Sequence, residues 1–274
     1  MKCIEKAIPE ELKDLVSCIM YMHEELPDKK KFIYYHPPTP QTGFCFHLNG
    51  NMSVLKKGFY KSETQPQTVV VGPQTSPVVI FSENPYSHVR VGLLPGALYR
   101  LTSISQVLMV DQSFDAAEIF GDDILGLNKE LALTSEPEII LEAIVQFLIK
   151  LMPKSLKVHQ LDAQMHSLWK DPNPKRICEI AKVCNLSLRQ FERLSLLRLG
   201  MRPKLYEKII RFSKAYSSVE RKEYENWTDL AYKSNYYDQR HLKKEFKVFT
   251  GKQLAKLKEV VSQNSVLIHG QLRY

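Results

Sequence analysis

The sequence predicts an α+β protein. An N-terminal β-barrel or sandwich-like domain with a helical extension precedes an all-α domain with two helix-turn-helix motifs joined by a linker helix. Three observations predict this. Short β-branched and aromatic runs bounded by Pro, Gly, Asn or Ser fill the first third of the chain, and the hydrophobic period changes from Leu98 onward. Two later stretches, 176–199 and 226–251, share one layout: a short helix, a tight turn and a second helix. The charge is also split: residues 1–150 hold 13 Lys and Arg against 18 Asp and Glu (net −5), and residues 151–274 hold 25 against 12 (net +13).

At 274 residues the natural expectation is two domains, 1–152 and 153–274, each large enough to bury a core. No apolar run is long enough to cross a membrane, and MKCIEKAIPEELKD lacks the apolar core of a signal peptide, so a cytoplasmic protein is expected. The five cysteines, Cys3, Cys18, Cys45, Cys178 and Cys184, are odd in number and contain no C-x-x-C, which reads as reduced and mostly buried thiols.

Residues 9–26 read two ways. Pro9-Glu10-Glu11 suits a helix start, whereas VSCIMYMH (16–23) suits a buried strand. Strand signals follow at KFIYY, GFCFHL, SVLKK, TVVVG, PVVIF and SHVRVGLL. Turns fall at Pro37-Pro38, Asn49-Gly50-Asn51, Gly72-Pro73 and Asn84-Pro85. Phe44, Phe46, Val69, Val71, Val79, Phe81, Val89 and Val91 alternate along these strands and are expected to point inward. Either they fill the interior or some of them, Phe44, Phe46, Val71 and Phe81 foremost, line a pocket for a small-molecule effector. His36, His47 and His88 are isolated along the chain with no H-x-H, so neither a metal site nor a cofactor is expected.

Helices are expected at 116–120, 122–133 and 136–151, the last with Thr134 or Ser135 as cap and a wide apolar face (Ile139, Ile140, Ala143, Ile144, Phe147, Leu148 and Leu151). That face either packs on the β-domain or forms a homodimer surface. Met152-Pro153-Lys154-Ser155 breaks the pattern and marks the domain boundary, a helix follows at about 156–169, and 170–174 is a loop. In the first helix-turn-helix, Ile177, Ile180 and Ala181 face inward, Asn185-Leu186 is the turn, and Ser187 caps a second helix whose Phe191 and Leu194 face inward. Gly200 ends that helix, and Pro203 starts a linker helix reaching about residue 219.

In the second motif Thr228 is the cap candidate of the first helix, Asn235-Tyr236 the turn and Asp238 the cap of the last helix. Leu242, Phe246 and Phe249 form its apolar stripe, and Gln239, Arg240, Lys243, Lys244 and Lys247 its polar, basic front. A helix built this way suits a DNA major groove. The tail from Lys256 begins as a helix and then loses its pattern.

Trp227, Asp229, Leu230, Ala231, Tyr236, Tyr237, Asp238, Gln239, His241, Leu242, Glu245, Phe246, Lys247, Phe249 and Gly251 together resemble the second helix-turn-helix signature of the AraC/XylS family of bacterial transcription regulators. NLSLRQFERL (185–194) resembles the first motif of that family, and Gly200 to Lys204 its linker. Val69–Pro73 and Val91–Leu101 are similar to segments of the family's β-rich sensor domain, some of which are cupin-like. The resemblance implies promoter DNA as partner, two recognition helices about 34 Å apart in successive major grooves, and RNA polymerase, a homodimer partner and an effector as further contacts. It also implies base contacts from Arg189, Glu192, Arg193, Gln239, Arg240, Lys243 and Lys244, and backbone contacts from Gln190 and His241. Arg pairs with guanine, Gln with adenine and Glu with cytosine.

The sequence departs from the family pattern at Ser195, where a large apolar residue is usual and looser packing is therefore expected. It departs again at Asn235 for the turn Gly, at Arg240 for a small residue, and at Lys252-Gln253-Leu254, where the usual last-helix start is missing. The rival function is an alkyl-transferring DNA repair enzyme with an activated cysteine, for which Cys45 and Cys3 are the candidates. No phosphate loop, nucleophile elbow or H-E-x-x-H accompanies them, so no catalytic residue is expected.

Overall fold

The computed structural model describes residues 2–25, 31–56, 58–83, 85–170 and 175–253. The expectations for Asn84, for most of the 170–174 loop, and for Leu254 and the tail beyond lie outside these residues.

Period-two patterning from residues 2 to 93 yields two antiparallel sheets. One is six-stranded, with order β1 (Lys2–Glu5), β2 (Val16–Glu24), β9 (Tyr86–Leu93), β4 (Thr42–Asn49), β7 (Thr68–Val71), β10 (Ser113–Asp115). The other is four-stranded, with order β3 (Lys31–His36), β8 (Val78–Glu83), β5 (Met52–Lys56), β6 (Glu63–Thr64). Residues 16–24 resolve as a strand, preceded by one 3-10 turn at Glu10–Leu12. Strand β2 pairs along its length with β9, and its alternate residues Ile19 and Tyr21 enter the main core, so a helix would have turned that apolar set away from its partners.

The six-stranded sheet has two different faces. Phe44, Phe46, Val70, Val89 and Val91 point to a core shared with α2 (Ala116–Phe120), α3 (Asp122–Leu131) and α4 (Pro137–Leu151). Phe44 meets Phe120 and Phe147 with ring centroids 5.6 and 6.5 Å apart. The apolar face of α4 packs on the β-domain, with Ile140, Ile144, Phe147, Leu148 and Leu151 buried in that core, whereas Ile139, expected on the same face, is exposed at its edge. The cap of α4 is neither Thr134 nor Ser135: Glu136 holds the position with no side-chain bond, and the Thr134 hydroxyl accepts from the Glu136 N–H instead. The opposite face of the sheet looks across a gap at the four-stranded sheet.

The edge strands β1, β6 and β10 and the helix α1 (Ala97–Thr102) escaped the sequence reading. A second core gathers the C-terminal helices α5 (Gln160–Lys170), α6 (Ile177–Val183), α7 (Leu188–Leu199), α8 (Pro203–Glu220), α9 (Trp227–Lys233) and α10 (Gln239–Thr250). Trp169, Phe191, Tyr206, Phe212, Tyr216 and Phe246 are its large side chains.

The two cores meet along a polar seam. Arg100 of α1 donates to the carbonyls of Leu156 (2.8 Å) and Asp14 (2.6 Å). Arg198 of α7 grips Asp162 of α5 through two bonds of 2.7 and 2.5 Å, and its guanidinium lies 4.8 Å from the centroid of the Tyr99 ring. Gly96, at φ +75°, lies so close that a Cβ there would come within 2.1 Å of an Asp162 carboxylate oxygen. Only glycine meets both demands. Tyr206 of α8 accepts from the Trp169 indole (2.9 Å) and donates to the Pro40 carbonyl (3.3 Å). Among the described residues no helix is long and apolar enough to cross a membrane.

Candidate functional site

The two helix-turn-helix units are built by the same local chemistry. In each, a residue in the left-handed region, Asn185 (φ +54°) or Asn235 (φ +57°), turns the chain. The N–H that follows closes on a carbonyl of the first helix: Leu186 to Ala181 at 3.0 Å, Tyr236 to Ala231 at 2.9 Å. Asparagine tolerates this conformation, so the missing turn glycine costs the second unit little.

Ser187 and Gln190 cap α7 reciprocally: the Gln190 N–H donates to the Ser187 hydroxyl, and the Ser187 N–H donates to the Gln190 side chain. The Asp238 carboxylate caps α10 by accepting from the His241 N–H at 2.7 Å. For α9 the cap is Asn226 and not Thr228; its side-chain oxygen accepts from the N–H groups of Thr228 and Asp229, both at 3.0 Å.

The inner faces are buried at their centres, with Ile177 and Leu194 half-buried at the margin. Leu242, Phe246 and Phe249 anchor α10, and Phe191 anchors α7. Ser195, expected to loosen the first unit, is itself fully buried and donates to the Met201 carbonyl at 2.7 Å. It ties the end of α7 to the chain entering α8, a bond no apolar side chain can make. A second tie holds α10 to α8: Arg211 donates to Glu245 at 2.5 Å and lies over the Tyr236 ring.

The outer faces carry the charge. Arg189 and Arg193 on α7, and Arg240, Lys243, Lys244 and Lys247 on α10, are exposed, and among the described residues none of the six takes part in an ion pair. Glu192 and Gln239 are half-buried on the same helices. Two of the sequence candidates are engaged within the fold. Gln190 is part of the α7 cap, and His241 lies edge-on to Tyr236 and 3.4 Å from Glu245.

The gap between the sheets forms a cavity of about 150 Å³. Phe44 and Val71 are among its lining residues, while Phe46 and Phe81 are not. Phe46 belongs to the core on the helix side of its sheet, and Phe81 lies on the outer side of the four-stranded sheet, where the even-numbered Val78 and Ile80 turn inward. Reading one inward face for every strand overlooked that a sheet between two layers buries both.

The histidines that are isolated in sequence are brought together. His47 and His88 are opposite one another on β4 and β9, His36 lies across the gap, and His47 Nδ1 is 2.6 Å from the Tyr86 hydroxyl. Burial pushes His36 and His47 down to about 4. Burial, with help from His47 and Arg90, pushes His88 to about 3. No group of His, Cys, Asp or Glu among the described residues has the geometry of a metal site. Burial also pushes the Cys45 thiol up to about 12, the opposite of what an activated nucleophile needs. Among the described residues the five cysteines are free thiols, with Cys3 and Cys178 exposed.

These histidines set an acid response. An unfolded chain takes up protons on them below about pH 6.5, and the folded chain refuses them until about pH 4, so stability is full above pH 6.5 and falls as pH drops through that window. Each group contributes a slope of up to about 1.4 kcal/mol per pH unit. Denaturant titrations at pH 7.5, 6 and 5 should reveal the fall, and His88→Gln should lessen it while His36 and His47 sustain the rest; a flat profile in the native chain contradicts this reading.

No family model matches the sequence, and no curated protein sequence does. Among solved structures the fold is similar to that of ToxT from Vibrio cholerae, with a TM-score of 0.49 at 11% identity over 90% of this chain and 99% of that one. ToxT from strain SCE256 with a bound unsaturated fatty acid gives 0.49 at 13% identity over 90% and 96%. The AraC-like transcriptional activator CuxR gives 0.29 at 12% identity over 76% and 79%. Likeness at these scores and identities carries no functional inference.

Proposed function

We propose that the chain is a sequence-specific DNA-binding regulator of transcription, built as an N-terminal sensor or dimerisation half (1–152) and a DNA-binding half (153–274). The observation that carries this is the pair of helices α7 and α10. Each is the second helix of a helix-turn-helix, each is anchored by fully buried aromatics, and each bears exposed cations left unpaired by the rest of the described chain. An exposed cation without a carboxylate partner is available to phosphate, whose neutralisation releases counterions and drives binding. The net charge of +13 over 151–274 supplies the same attraction at longer range.

In this reading Arg189, Glu192 and Arg193 read bases in one major groove, and Gln239, Arg240, Lys243 and Lys244 in the next. Lys247 contacts the backbone. Gln190 and His241 act indirectly, by holding the N-terminus of α7 and the packing of α10. The linker helix α8 spaces the two units. The inter-sheet cavity takes a small-molecule effector, with RNA polymerase and a second copy of the chain as protein partners in the cytoplasm.

Mobility shift with the full chain against promoter DNA beside its own gene tests the proposal. Arg193→Ala is expected to lose about 1–3 kcal/mol of discrimination at one or two base positions. Lys247→Ala is expected to weaken binding evenly across sequences and to reduce the salt slope by about one. Equal affinity for the promoter and for random DNA at moderate salt would sink the proposal.

A further inference from the structure

The unabsorbed feature is Arg90. It stands on the cavity face of β9, two residues from His88, and lines the gap between the sheets. Its recorded hydrogen-bond partner is the Gln41 side-chain oxygen at a long 3.4 Å, and no carboxylate among the described residues lies within ion-pair distance of it. Asp111, an acid lining the same cavity, is already saturated: Thr75 and Ser76 donate to it through both backbone N–H groups and both hydroxyls, at 2.6 to 3.1 Å. A half-buried guanidinium with no counter-charge among the described residues keeps its N–H donors available to an anion. A second orphan lies beside it, since His88 Nδ1 is out of reach of solvent and has no hydrogen-bond partner.

We propose that this cavity binds a compact organic monocarboxylate, with the carboxylate on the Arg90 guanidinium and the carbon body among Met20, Met22, Met52, Val54 and Ile80. The proposal rests on the effector reading above and names the chemical class that reading leaves open. Four features select the class. A planar guanidinium matches a carboxylate through two parallel bonds. A dianion is disfavoured, because His36 and His88 are held neutral and Lys56 is occupied by Gln112 and Glu63. The volume, about 150 Å³, is that of a cavity accepting a benzene-sized molecule, so the body is ring-sized and not a long chain. Thioether walls adapt to such a body without a unique shape. Gln41, which steadies the guanidinium, is fixed in turn by its donation to Ser17 at 3.0 Å.

The test is isothermal titration calorimetry of the full chain with cyclohexanecarboxylate, its neutral amide and octanoate. The carboxylate is expected to bind at least about tenfold more tightly than the amide, a difference of about 1.4 kcal/mol, and more tightly than octanoate. Arg90→Gln should erase the preference for the anion. Val54→Phe, which keeps Arg90 and fills the gap, should abolish binding of both ring compounds, and each variant is used only if its cooperative thermal melt persists. Equal binding of acid and amide, no binding of either, tighter binding of octanoate, or undiminished acid binding by Arg90→Gln each overturns the proposal. Mobility shift on the same samples separates the two claims. Acid binding with no promoter preference removes the regulator and leaves the site; promoter preference with no acid binding does the reverse.

Discussion

Arg198→Ala is expected to destabilise the protein by about 3–5 kcal/mol, the range for breaking a buried ion pair by removing one partner. Both side chains are nearly inaccessible, 8% for Arg198 and 3% for Asp162, and the two bonds are 2.7 and 2.5 Å long. Truncation strands the Asp162 carboxylate beside Gly96, where no other cation among the described residues is in ion-pair contact with it. Domains are typically stable by only about 5–15 kcal/mol, so a large part of the folded population is at stake. The loss is measured as a shift of the denaturant midpoint, and Arg198→Ala combined with Asp162→Ala should recover part of it. A shift worth under about 1 kcal/mol would mean that the seam is wet and the pair screened. Because Arg198 lies in the last turn of α7 and against Tyr99 of α1, the same variant should loosen the first helix-turn-helix unit where it meets α1.

Phe246→Ala is expected to cost about 3–5 kcal/mol, the range for emptying a core site of a large aromatic. Its ring is fully buried, 5.0 Å from Phe212 and 6.4 Å from Tyr216 by centroid, and it is the central anchor of α10 on α8. Lys243→Ala, three residues away on the exposed face, should stay within about 0.5 kcal/mol of the native stability. The pair separates stability from recognition. Both should weaken DNA binding, but only Phe246→Ala should hasten proteolysis of the α9–α10 unit. A fall in stability for Lys243→Ala would place that side chain in the packing and not on the binding face.

Much of this architecture is legible in the residues, because the relevant signals are local. Ser187 with Gln190, Asp238 ahead of His241, and Asn185 and Asn235 at the turns fix helix ends by contacts within five residues. The stripe Leu242, Phe246 and Phe249 fixes which face goes in. Most of what stayed hidden depends on contacts far apart in the chain, although two misreadings, at Thr228 and Ser195, concern local bonds. Thr228 seemed the cap because Asn226 stands one residue before an unexpected Trp227 start. The 2–5 and 113–115 strands are short edges whose pairing partners lie elsewhere, at β2 and β7. His36, His47 and His88 look isolated along the sequence, and only the β4–β9 register and the stacking of a second sheet bring them together. Arg90 has no sequence signal at all: a lone arginine alternating with valines reads as solvent-facing until a second sheet covers that side. Phe81 was misassigned for the related reason that strand parity names two faces without saying which is inside. Ser195 seemed a packing defect because its partner, the Met201 carbonyl, belongs to the next turn of chain.

The central claim is that one chain reads two neighbouring grooves with α7 and α10. Hydroxyl-radical footprinting of the full chain on its promoter tests it most directly. The account predicts two protected patches on one face of the duplex, about one helical turn (10–10.5 base pairs) apart, with Arg193→Ala removing one patch and Lys243→Ala weakening the other. A single patch, or two patches that both respond to the same substitution, would contradict it.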